Sequence, residues 1–572
     1  MKDGKSVSNL IFLENKFQVE NYLKNKSKYK GVLPISFNFE VEKILLENHI
    51  SFKKDEDYED KINLKNISSE AMKDTWKIIK KSNLKYREIP VLELFYYDIF
   101  IILANSKKYS LLFKKIIELE KPKKIIVFNS KNGFGKENIF LLAKENYSGK
   151  IILVNYKGAL LSKKSKSLIL YPISSVQKFL TLLRIGLSKN KNKIFTSGGK
   201  IYFMDLINKL SKNKIIDFSD RLRKSFFIRG IYAPFYEFSG QESPLQKTFQ
   251  EDLSNFKKEL GSSIHIEKER QLYIIENIYT LLELKITNVL RALEEAYSLF
   301  NKKKIDLIFL SEDSAPLSRG IIKLANKFGV KTCVFQHGLM TYGVGTFTYA
   351  DYYFVFGNVS KKAIEKNCSK KTKVLSVGCP RYDSFEWNSA KRNKKEIVYA
   401  MEITNERVML PDTHLTRKRQ KELLKKMFRV MKKIPDYKLI LKIRPNWELK
   451  EIIPLVAKSE EFDNYEIIEK TDNPKLLSEA AGVIVNHSTM GVEACLLGNA
   501  LISLSYPDLD KVNSYKKFPG VNVVYTEKAL ESEIKKQIKS FIPFKKKDIK
   551  ENIIFEGKSS EKVVEIIKKE LI

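Results

Sequence analysis

The sequence predicts an α/β fold built on parallel sheets, and two observations support this prediction. Short apolar runs alternate with helical patterns, first over residues 305–335 and again over residues 397–504, as in strands joined by crossover helices. Polar residues and glycines follow these runs, where ligands bind at the carboxyl ends of parallel strands. The C-terminal half is therefore where we look for a functional site.

The first half of the chain is less regular. Four apolar runs predict further buried parallel strands, at residues 10–13, 125–128, 151–154 and 201–204. The apolar window 91–104 contains Glu93 and Asp98 and is too short to cross a bilayer, so we interpret it as a buried strand. The GFGK sequence at 133–136 lacks the spacing of a phosphate-binding P-loop and is interpreted as an ordinary loop.

Length and charge set outer bounds on organisation and partners. A chain of 572 residues is too long for one core and predicts about three domains. Lysine and arginine total 103 against 68 acidic residues, a net charge of +35, which favours an anionic partner. Because the lysines are spread along the whole chain, a general compositional bias explains this charge equally well.

Cysteine usage and the N-terminus predict the compartment. The four cysteines have no CxxC spacing, which argues against a structural zinc site and favours a reducing cytoplasm. The first ten residues lack the apolar stretch of a signal peptide. An amphipathic segment at 176–187 can either contact an anionic membrane or pack on the sheet. We expect a cytoplasmic protein, with peripheral contact at the inner face of the plasma membrane left open.

A long helix and a βαβ unit open the regular half. Apolar residues at helical spacing predict one helix over 267–300. An apolar run at 305–310, a helix at 317–328 and a run at 330–335 then predict two parallel strands joined by a crossover. Polar residues follow the two runs: Ser311, Glu312 and Asp313 after the first, and Gln336, His337 and Gly338 after the second.

The next element, VGCPRYD at 377–383, places Arg381 just past a strand. Pro380 provides a rigid turn that can aim the guanidinium into a cleft, although a purely structural turn explains the proline equally well. A charged stretch at 388–395 predicts an interdomain connector. A second series of strands follows, at 397–400, 439–443, 466–468, 483–485 and 501–504. Because no GxGxxG follows its first strand, a dinucleotide cofactor is not expected.

The most specific constellation is VIVNHSTMGVEACLLGNA at 483–500, where a buried strand leads through a polar turn into a helix. Backbone N–H groups at such a helix start favour anions, and the hydroxyls of Ser488 and Thr489 add donors, so the turn can hold a diphosphate. A simple helix cap explains these hydroxyl residues equally well. Arg444, Pro445 and Asn446 follow a neighbouring strand, and Arg444 sets a cation beside the same edge.

Together QHG, PRYD, KIRPN and HSTMGVEACLLGNALISL resemble the GT-B glycosyltransferase superfamily over residues 306–572. The nearest groups are bacterial surface and capsule polysaccharide transferases and CDP-glycerol glycerophosphotransferases. The resemblance implies two Rossmann-like domains facing across a cleft, with no metal and no cofactor beyond the nucleotide-activated donor. It assigns residues 1–387 to an acceptor domain elaborated with extra helices, including an insertion and long helix at 156–304, and residues 396–572 to a donor domain.

The resemblance also implies roles for individual residues. Ser488, Thr489 and Gly491 become the diphosphate turn with His487 beside it, Glu493 the ribose ligand, and Arg444 a phosphate clamp. The remaining donor-binding candidates are Asn446 and Arg381. His337 becomes the candidate general base, with the carboxylates of Glu312 and Asp313 as rivals.

The function expected from this resemblance is transfer of a sugar, or a polyol phosphate, from a nucleotide-activated donor to a surface polysaccharide or lipid-linked glycan. Because this chain has Arg444-Pro445 where the glycerophosphotransferases usually have a His-Pro pair, a sugar nucleotide is favoured as donor. The alternative is a nonhydrolysing nucleotide-sugar 2-epimerase, which would need no acceptor. A nucleic-acid-binding protein is the distant alternative, and no recognition motif for nucleic acid is present.

Overall fold

The computed structural model describes most of the chain. The described residues are 9–130, 138–156, 193–197, 214–217, 230–232, 252–253, 255–257, 267–301, 305–339, 347–366, 368–402, 415–444 and 447–570. By its internal contacts the chain divides into two compact units. The first unit comprises residues 1–166, 241–287 and 405–418, and the second comprises residues 167–240, 288–404 and 419–572.

The first unit is built on a five-stranded parallel sheet. The strands of this unit are β1 (Asn9–Leu13), β2 (Leu33–Ser36), β3 (Lys53–Lys54), β4 (Lys85–Tyr86), β5 (Ile89–Pro90), β6 (Lys124–Ser130) and β7 (Lys150–Tyr156). The sheet has the order β3-β2-β1-β6-β7, and β4 and β5 form a separate short ladder. The strands predicted at 10–13, 125–128 and 151–154 are confirmed. The predictions at 133–136, 176–187 and 201–204 lie outside the described residues.

Helices cover this sheet. They are α1 (Lys16–Lys24), α2 (Phe39–Glu47), α3 (Glu56–Glu59), α4 (Ile67–Lys81), α5 (Val91–Leu94), α6 (Tyr96–Glu120) and α7 (Asn138–Asn146). Asn15 and Asn38, just past β1 and β2, cap α1 and α2 by accepting from backbone N–H groups. The strand predicted at 91–104 is wrong, because this window forms α5 and the start of α6. A helix buried on most faces shows no polar stripe, so its sequence looks like that of a buried strand.

A buried ion cluster stabilises the first unit. Arg417 Nη2 lies 3.0 Å from Asp55 Oδ1 and 3.3 Å from Glu42 Oε1, and its Nε is paired with Glu56. All four side chains are buried. Burying charges is costly unless they are paired, so this arginine satisfies three carboxylates that would otherwise destabilise the fold.

The second unit contains two larger parallel sheets. Its strands are β8 (Lys193–Ser197), β9 (Lys214–Asp217), β10 (Gly230–Tyr232), β11 (Leu307–Leu310), β12 (Lys331–Phe335), β13 (Tyr352–Val355), β14 (Lys373–Ser376), β15 (Lys394–Ala400), β16 (Lys438–Lys442), β17 (Tyr465–Ile468), β18 (Ala480–Val485), β19 (Leu501–Leu504) and β20 (Asn522–Val524). The orders are β10-β9-β8-β11-β12-β13-β14 and β17-β16-β15-β18-β19-β20. Both strand series predicted for the C-terminal half are confirmed, and β20 was not predicted.

Helices connect these strands. They are α8 (Lys268–Asn301), which begins in the first unit, and α9 (Pro316–Lys327), α10 (Asn358–Glu365), α11 (Arg417–Lys432), α12 (Trp447–Ser459), α13 (Asn473–Glu479), α14 (Met490–Leu497), α15 (Glu527–Ser540), α16 (Lys546–Ile549) and α17 (Ser559–Glu570). The helices predicted over 267–300 and 317–328 are confirmed. Because the strands of each sheet pair in parallel and alternate with helices, the fold is the predicted α/β, Rossmann-like class.

The two sheets of the second unit share one hydrophobic core, which includes Phe335 and Phe354 from one sheet and Val483 and Val485 from the other. The C-terminal helix α17 packs beside the seven-stranded sheet, where Tyr352 donates to Glu570 over 2.7 Å. Asp383 accepts from the first backbone N–H groups of this helix. The aspartate of the PRYD sequence is therefore a helix cap.

Residues 388–395 connect the two sheets of the second unit. This connection is held by a hydrogen bond in which the N–H of Lys391 donates to Ser478 O over 2.8 Å. The proposed division into domains 1–387 and 396–572 stays a prediction. Within the described residues, no helix is both long enough and apolar enough to span a bilayer.

Candidate functional site

The turn after β18 is locked to its neighbouring strands. Asn486 is buried, accepts from the hydroxyl of Tyr399 over 2.9 Å and donates to Leu504 O over 2.6 Å. These bonds tie the end of β18 to residues of β15 and β19. The turn that follows is therefore presented from a rigid base, where a small displacement would break buried hydrogen bonds.

Helix α14 begins directly after this turn. The side chains of His487, Ser488 and Thr489 are half-buried, and Ser488 Oγ accepts from the N–H of Met490 over 3.3 Å. Ser488 thus contributes to a helix cap, as the simpler interpretation of the sequence had it, while its hydroxyl remains at the positive end of the helix dipole. Both features suit an anion-binding turn.

Gly491 has a packing role. A Cβ at this position would collide with the hydroxyl and ring of Tyr515, and that hydroxyl also donates to Ser488 O. Only a glycine lets the tyrosine pack against the helix and brace the turn. The role expected for Gly491 at a diphosphate stays a prediction.

Glu493, one turn into α14, is paired with Arg381. The carboxylate is 1% exposed, and its Oε1 lies 2.8 Å from Arg381 Nη2. Burial raises the pKa of Glu493, while the charges of Arg381 and Lys442 act to lower it. Arg381 lies in the 3-10 turn Pro380–Tyr382 after β14, so this ion pair joins the turn after a strand of one sheet to the helix that follows β18 of the other sheet.

The turn after β12 also lies close to the start of α14. A Cβ built on Gly338, in the turn after β12, would lie 3.5 Å from Thr489 Cγ2. The preceding Gln336 is buried, donates to Gly338 O over 2.7 Å and accepts from the N–H of Phe356 over 2.8 Å. Gln336 therefore braces the turn that carries His337, a positioning role that the sequence did not suggest.

His337 is solvent-exposed at this junction. Desolvation by the surrounding protein lowers its pKa, the charges of Arg444 and Arg381 lower it further, and Glu312 opposes them. A pKa below the usual value of about 6.5 keeps the imidazole neutral at physiological pH. A neutral imidazole on a braced turn can accept a proton from a hydroxyl group.

The two rival carboxylates are placed differently. Glu312 Oε2 accepts from the N–H groups of Ser314 and Ala315 over 2.7 and 2.9 Å, and its Oε1 accepts from Ser318 Oγ over 2.5 Å. Both oxygens thus order the start of α9. Asp313 is 4% exposed, and burial raises its pKa to about 6.

Replacing Asp313 with asparagine is expected to change how stability depends on pH. The folded state releases this proton at about pH 6 and the unfolded chain near pH 3.8, so the free energy of unfolding falls as pH rises through that window. The free energy of unfolding of Asp313→Asn, measured relative to that of the wild type, should therefore be about 1.5 kcal/mol higher at pH 8 than at pH 5. Urea unfolding at both pH values measures it, with the exposed Asp463→Asn as control. If the difference in free energy of unfolding between wild type and Asp313→Asn is the same at both pH values, the pKa of Asp313 is not raised in the folded protein.

Arg444 is exposed just past β16 and acts electrostatically on His337. The neighbouring Lys442 is buried and donates to Glu469 O over 2.8 Å, and burial lowers its pKa. Arg381, Arg444 and Lys442 give this edge a positive charge that suits a phosphate group. The predicted ligand Asn446 lies outside the described residues. In the part of the chain that is described, no three His, Cys, Asp or Glu side chains cluster as metal ligands.

The polar residues that follow β15 and β19 engage α11. Tyr506 donates to Glu422 over 2.8 Å, and Asp508 pairs with Arg419 over 2.8 Å. Gln420 donates to Glu402 O over 2.5 Å. The candidate site therefore concentrates on the turns after β12, β14, β16 and β18.

Two parallel sheets whose strand ends meet at one cationic edge give the second unit a GT-B-like fold, as predicted. A family model described as UDP-N-acetylglucosamine 2-epimerase matches residues 346–568. A comparison with curated proteins gave no match.

Solved structures also resemble this chain. The S. aureus protein MnaA in complex with UDP is 13% identical, with a TM-score of 0.41 over 66% of this chain and 96% of that chain. UDP-GlcNAc 2-epimerase from Neisseria meningitidis, bound to UDP-GlcNAc, is 13% identical, with a TM-score of 0.41 over 66% and 100%. The wall teichoic acid polymerase TagF is 12% identical, with a TM-score of 0.37 over 70% and 98%.

Proposed function

We propose that this protein binds a nucleotide-activated sugar by its diphosphate at residues 487–489 and transfers the sugar to an acceptor hydroxyl. Two observations carry the proposal: the turn with His337 and Gly338 lies beside Thr489 at the start of α14, and Arg381 pairs with Glu493 in the same helix. An exposed, neutral imidazole beside a cationic helix start is what such a transfer needs. The match to a nucleotide-sugar epimerase family supports the substrate class.

The proposed division of roles follows from charge and exposure. The N–H groups at the start of α14 and the hydroxyls of Ser488 and Thr489 bind the diphosphate, and His487 lies beside it. Arg444, exposed at the same edge, neutralises the charge that develops on the leaving nucleotide. His337 takes the proton of the acceptor hydroxyl. No metal ion or other cofactor is part of this proposal.

Glu493 fits a positioning role in this scheme. Its carboxylate is buried and holds the guanidinium of Arg381 at the junction, where the arginine can approach a phosphate. For a ribose hydroxyl to bind Glu493, either Arg381 would have to move or the hydroxyl would have to use Oε2 rather than Oε1, the carboxylate oxygen that lies 2.8 Å from Arg381 Nη2. The ribose contact expected from the resemblance therefore remains the second proposed role of this residue.

The proposed acceptor is a surface polysaccharide or a lipid-linked glycan, with transfer of a polyol phosphate as the variant reaction. The GT-B resemblance of the sequence supports this choice. Capsule biosynthesis is the process in which such a transfer would serve.

A nonhydrolysing 2-epimerase is the second candidate, because the epimerase family model covers both turns after β14 and β18. The two reactions share a diphosphate site and differ in whether an acceptor is needed. To distinguish the two reactions, the purified protein is incubated with UDP-GlcNAc and with other UDP-, CDP- and GDP-sugars, and the products are identified by NMR. A C2 epimer formed without acceptor establishes the epimerase, whereas sugar transfer and nucleotide release that require a glycan acceptor establish the transferase.

Replacing Arg444 with alanine is expected to weaken nucleotide-sugar binding about 10- to 100-fold, because a hydrogen bond to a charged group contributes roughly 1.5–3 kcal/mol. Titration calorimetry, with the nucleotide first identified by a thermal-shift screen, measures the loss. The control Arg429→Ala removes another exposed arginine, one that pairs with Glu460. If the affinity of Arg444→Ala equals that of the control, the clamp role is wrong.

A further inference from the structure

The loop between α15 and α16 exposes an apolar tip. Ile542 is 80% exposed, and the next residue, Pro543, is also exposed. A single exposed aliphatic side chain is ordinary on a protein surface. Ile542 differs because aromatic residues on either side pack inward and exposed lysines surround it.

The loop holds Ile542 outward because Phe541 and Phe544, on either side of Ile542 and Pro543, pack on the protein. The ring of Phe541 lies 4.8 Å from the guanidinium carbon of Arg392 and 5.9 Å from the ring of Phe544. Phe544 is buried and packs so closely on Gly520 that a Cβ there would lie 2.9 Å from its ring. Two aromatic side chains therefore point inward while the residues between them point to solvent.

Lysines surround this tip. Residues 539–550 contain five lysines and one aspartate, and all five lysines are exposed: Lys539, Lys545, Lys546, Lys547 and Lys550. Lys546 lies over the rings of Trp387 and Phe555. Exposed lysines elsewhere in the second unit, such as Lys433 and Lys535, pair with Glu531. Residues 539–550, termed the basic tip, thus combine an apolar apex with positive charge.

We propose that the basic tip docks on an anionic lipid bilayer, with Ile542 and Pro543 entering the interface and the lysines contacting the headgroups. Charge complementarity selects this occupant. A second copy of the chain docked symmetrically through this surface would place five lysines against five lysines, and a soluble polyanion offers nothing apolar for Ile542. A bilayer surface presents negative headgroups and an apolar layer a few ångströms beneath them. None of residues 539–550 is part of the proposed catalytic site.

Cosedimentation of the full-length protein with vesicles tests the proposal. We expect binding to vesicles of equal parts phosphatidylglycerol and phosphatidylcholine, and little binding to phosphatidylcholine alone. Lys545→Glu/Lys547→Glu should weaken binding at least 20-fold, since one lysine near an anionic surface contributes about fivefold. Ile542→Ser should weaken it about tenfold through the lost apolar contact. When anionic vesicles are added, the fluorescence emission of Ile542→Trp should shift further to the blue than that of the wild type, which has three tryptophans of its own.

Matched controls separate the basic tip from general charge and hydrophobicity. Lys26→Glu/Lys28→Glu makes the same charge change at exposed residues of the first unit, and Leu455→Ser removes an aliphatic side chain that is 51% exposed. Equal losses in tip and control variants would overturn the proposal. So would unchanged binding of Ile542→Ser, which would leave a purely electrostatic contact, or tighter binding to a soluble anionic polymer than to vesicles. A dimer that Ile542→Ser dissociates would instead assign the surface to self-association.

Discussion

Replacing His337 with alanine is expected to lower kcat 100- to 10,000-fold, the range over which a positioned general base contributes. The imidazole is exposed on the turn that lies beside Thr489, whereas Glu312 caps a helix and Asp313 is buried. Because the diphosphate contacts are left in place, the KM for the donor should change much less than kcat. Steady-state kinetics with donor and acceptor varied separately measures both.

The lowered pKa of His337 also predicts how kcat/KM depends on pH. Since the pKa of His337 is lowered, the proton-accepting form persists below pH 6.5, and kcat/KM should stay level from pH 8 to that point and fall only in more acid solution. The residual activity of His337→Ala should lack this acid limb. His49→Asn, at an exposed turn with φ of 52° in the first unit, is the matched control. If His337→Ala keeps full kcat while Asp313→Asn loses it, the base is Asp313.

The sequence predicted the strands of the second unit well, because buried parallel strands are short apolar runs with distinct ends. The runs at 305–310 and 483–485 correspond to β11 and β18 within three residues. The same reasoning placed the polar turns at one edge, since carboxyl ends of parallel strands share an edge. Strand β20 escaped prediction because three residues at a sheet border give no periodic signal.

What the sequence did not predict depends on contacts between distant residues. Arg381 and Glu493 were both expected at the site, yet their mutual ion pair follows from packing that no local pattern encodes. Gly491 was attributed to ligand contact, whereas its immediate neighbour is Tyr515. Glu312 is a different case. A carboxylate just before Ser314 and Pro316 is a local signal of a helix start, and it could have been recognised as a cap.

The early window at 91–104 shows the limit of periodicity. Its apolar residues form the start of α6, where Ile99, Phe100 and Leu103 are all buried. Short apolar stretches do not distinguish a buried strand from a helix enclosed on most sides, and here tertiary packing selects the helix. Length is the better criterion, because the helical pattern continues far beyond any ordinary strand.

Replacing Arg417 with methionine is expected to lower the free energy of unfolding of the first unit by about 3–5 kcal/mol. The substitution keeps much of the side-chain volume but leaves the carboxylates of Glu42, Asp55 and Glu56 buried without their shared cation. Glu42 also pairs with Lys54, at 2.9 Å. Arg417→Lys should fall between methionine and wild type, because an ammonium group cannot match the guanidinium fork.

The fluorescence of Trp76 in α4 can follow this unit alone in a Trp387→Phe/Trp447→Phe background, since the chain has three tryptophans. Urea midpoints of the Arg417 variants are then compared with Lys77→Met, which removes an exposed pair with Asp74 and should cost less than about 1 kcal/mol. Replacing a complete buried ion network with apolar residues often stabilises a protein, but removing one partner does not. If Arg417→Met unfolds at the midpoint of the control, the three carboxylates are satisfied without the arginine.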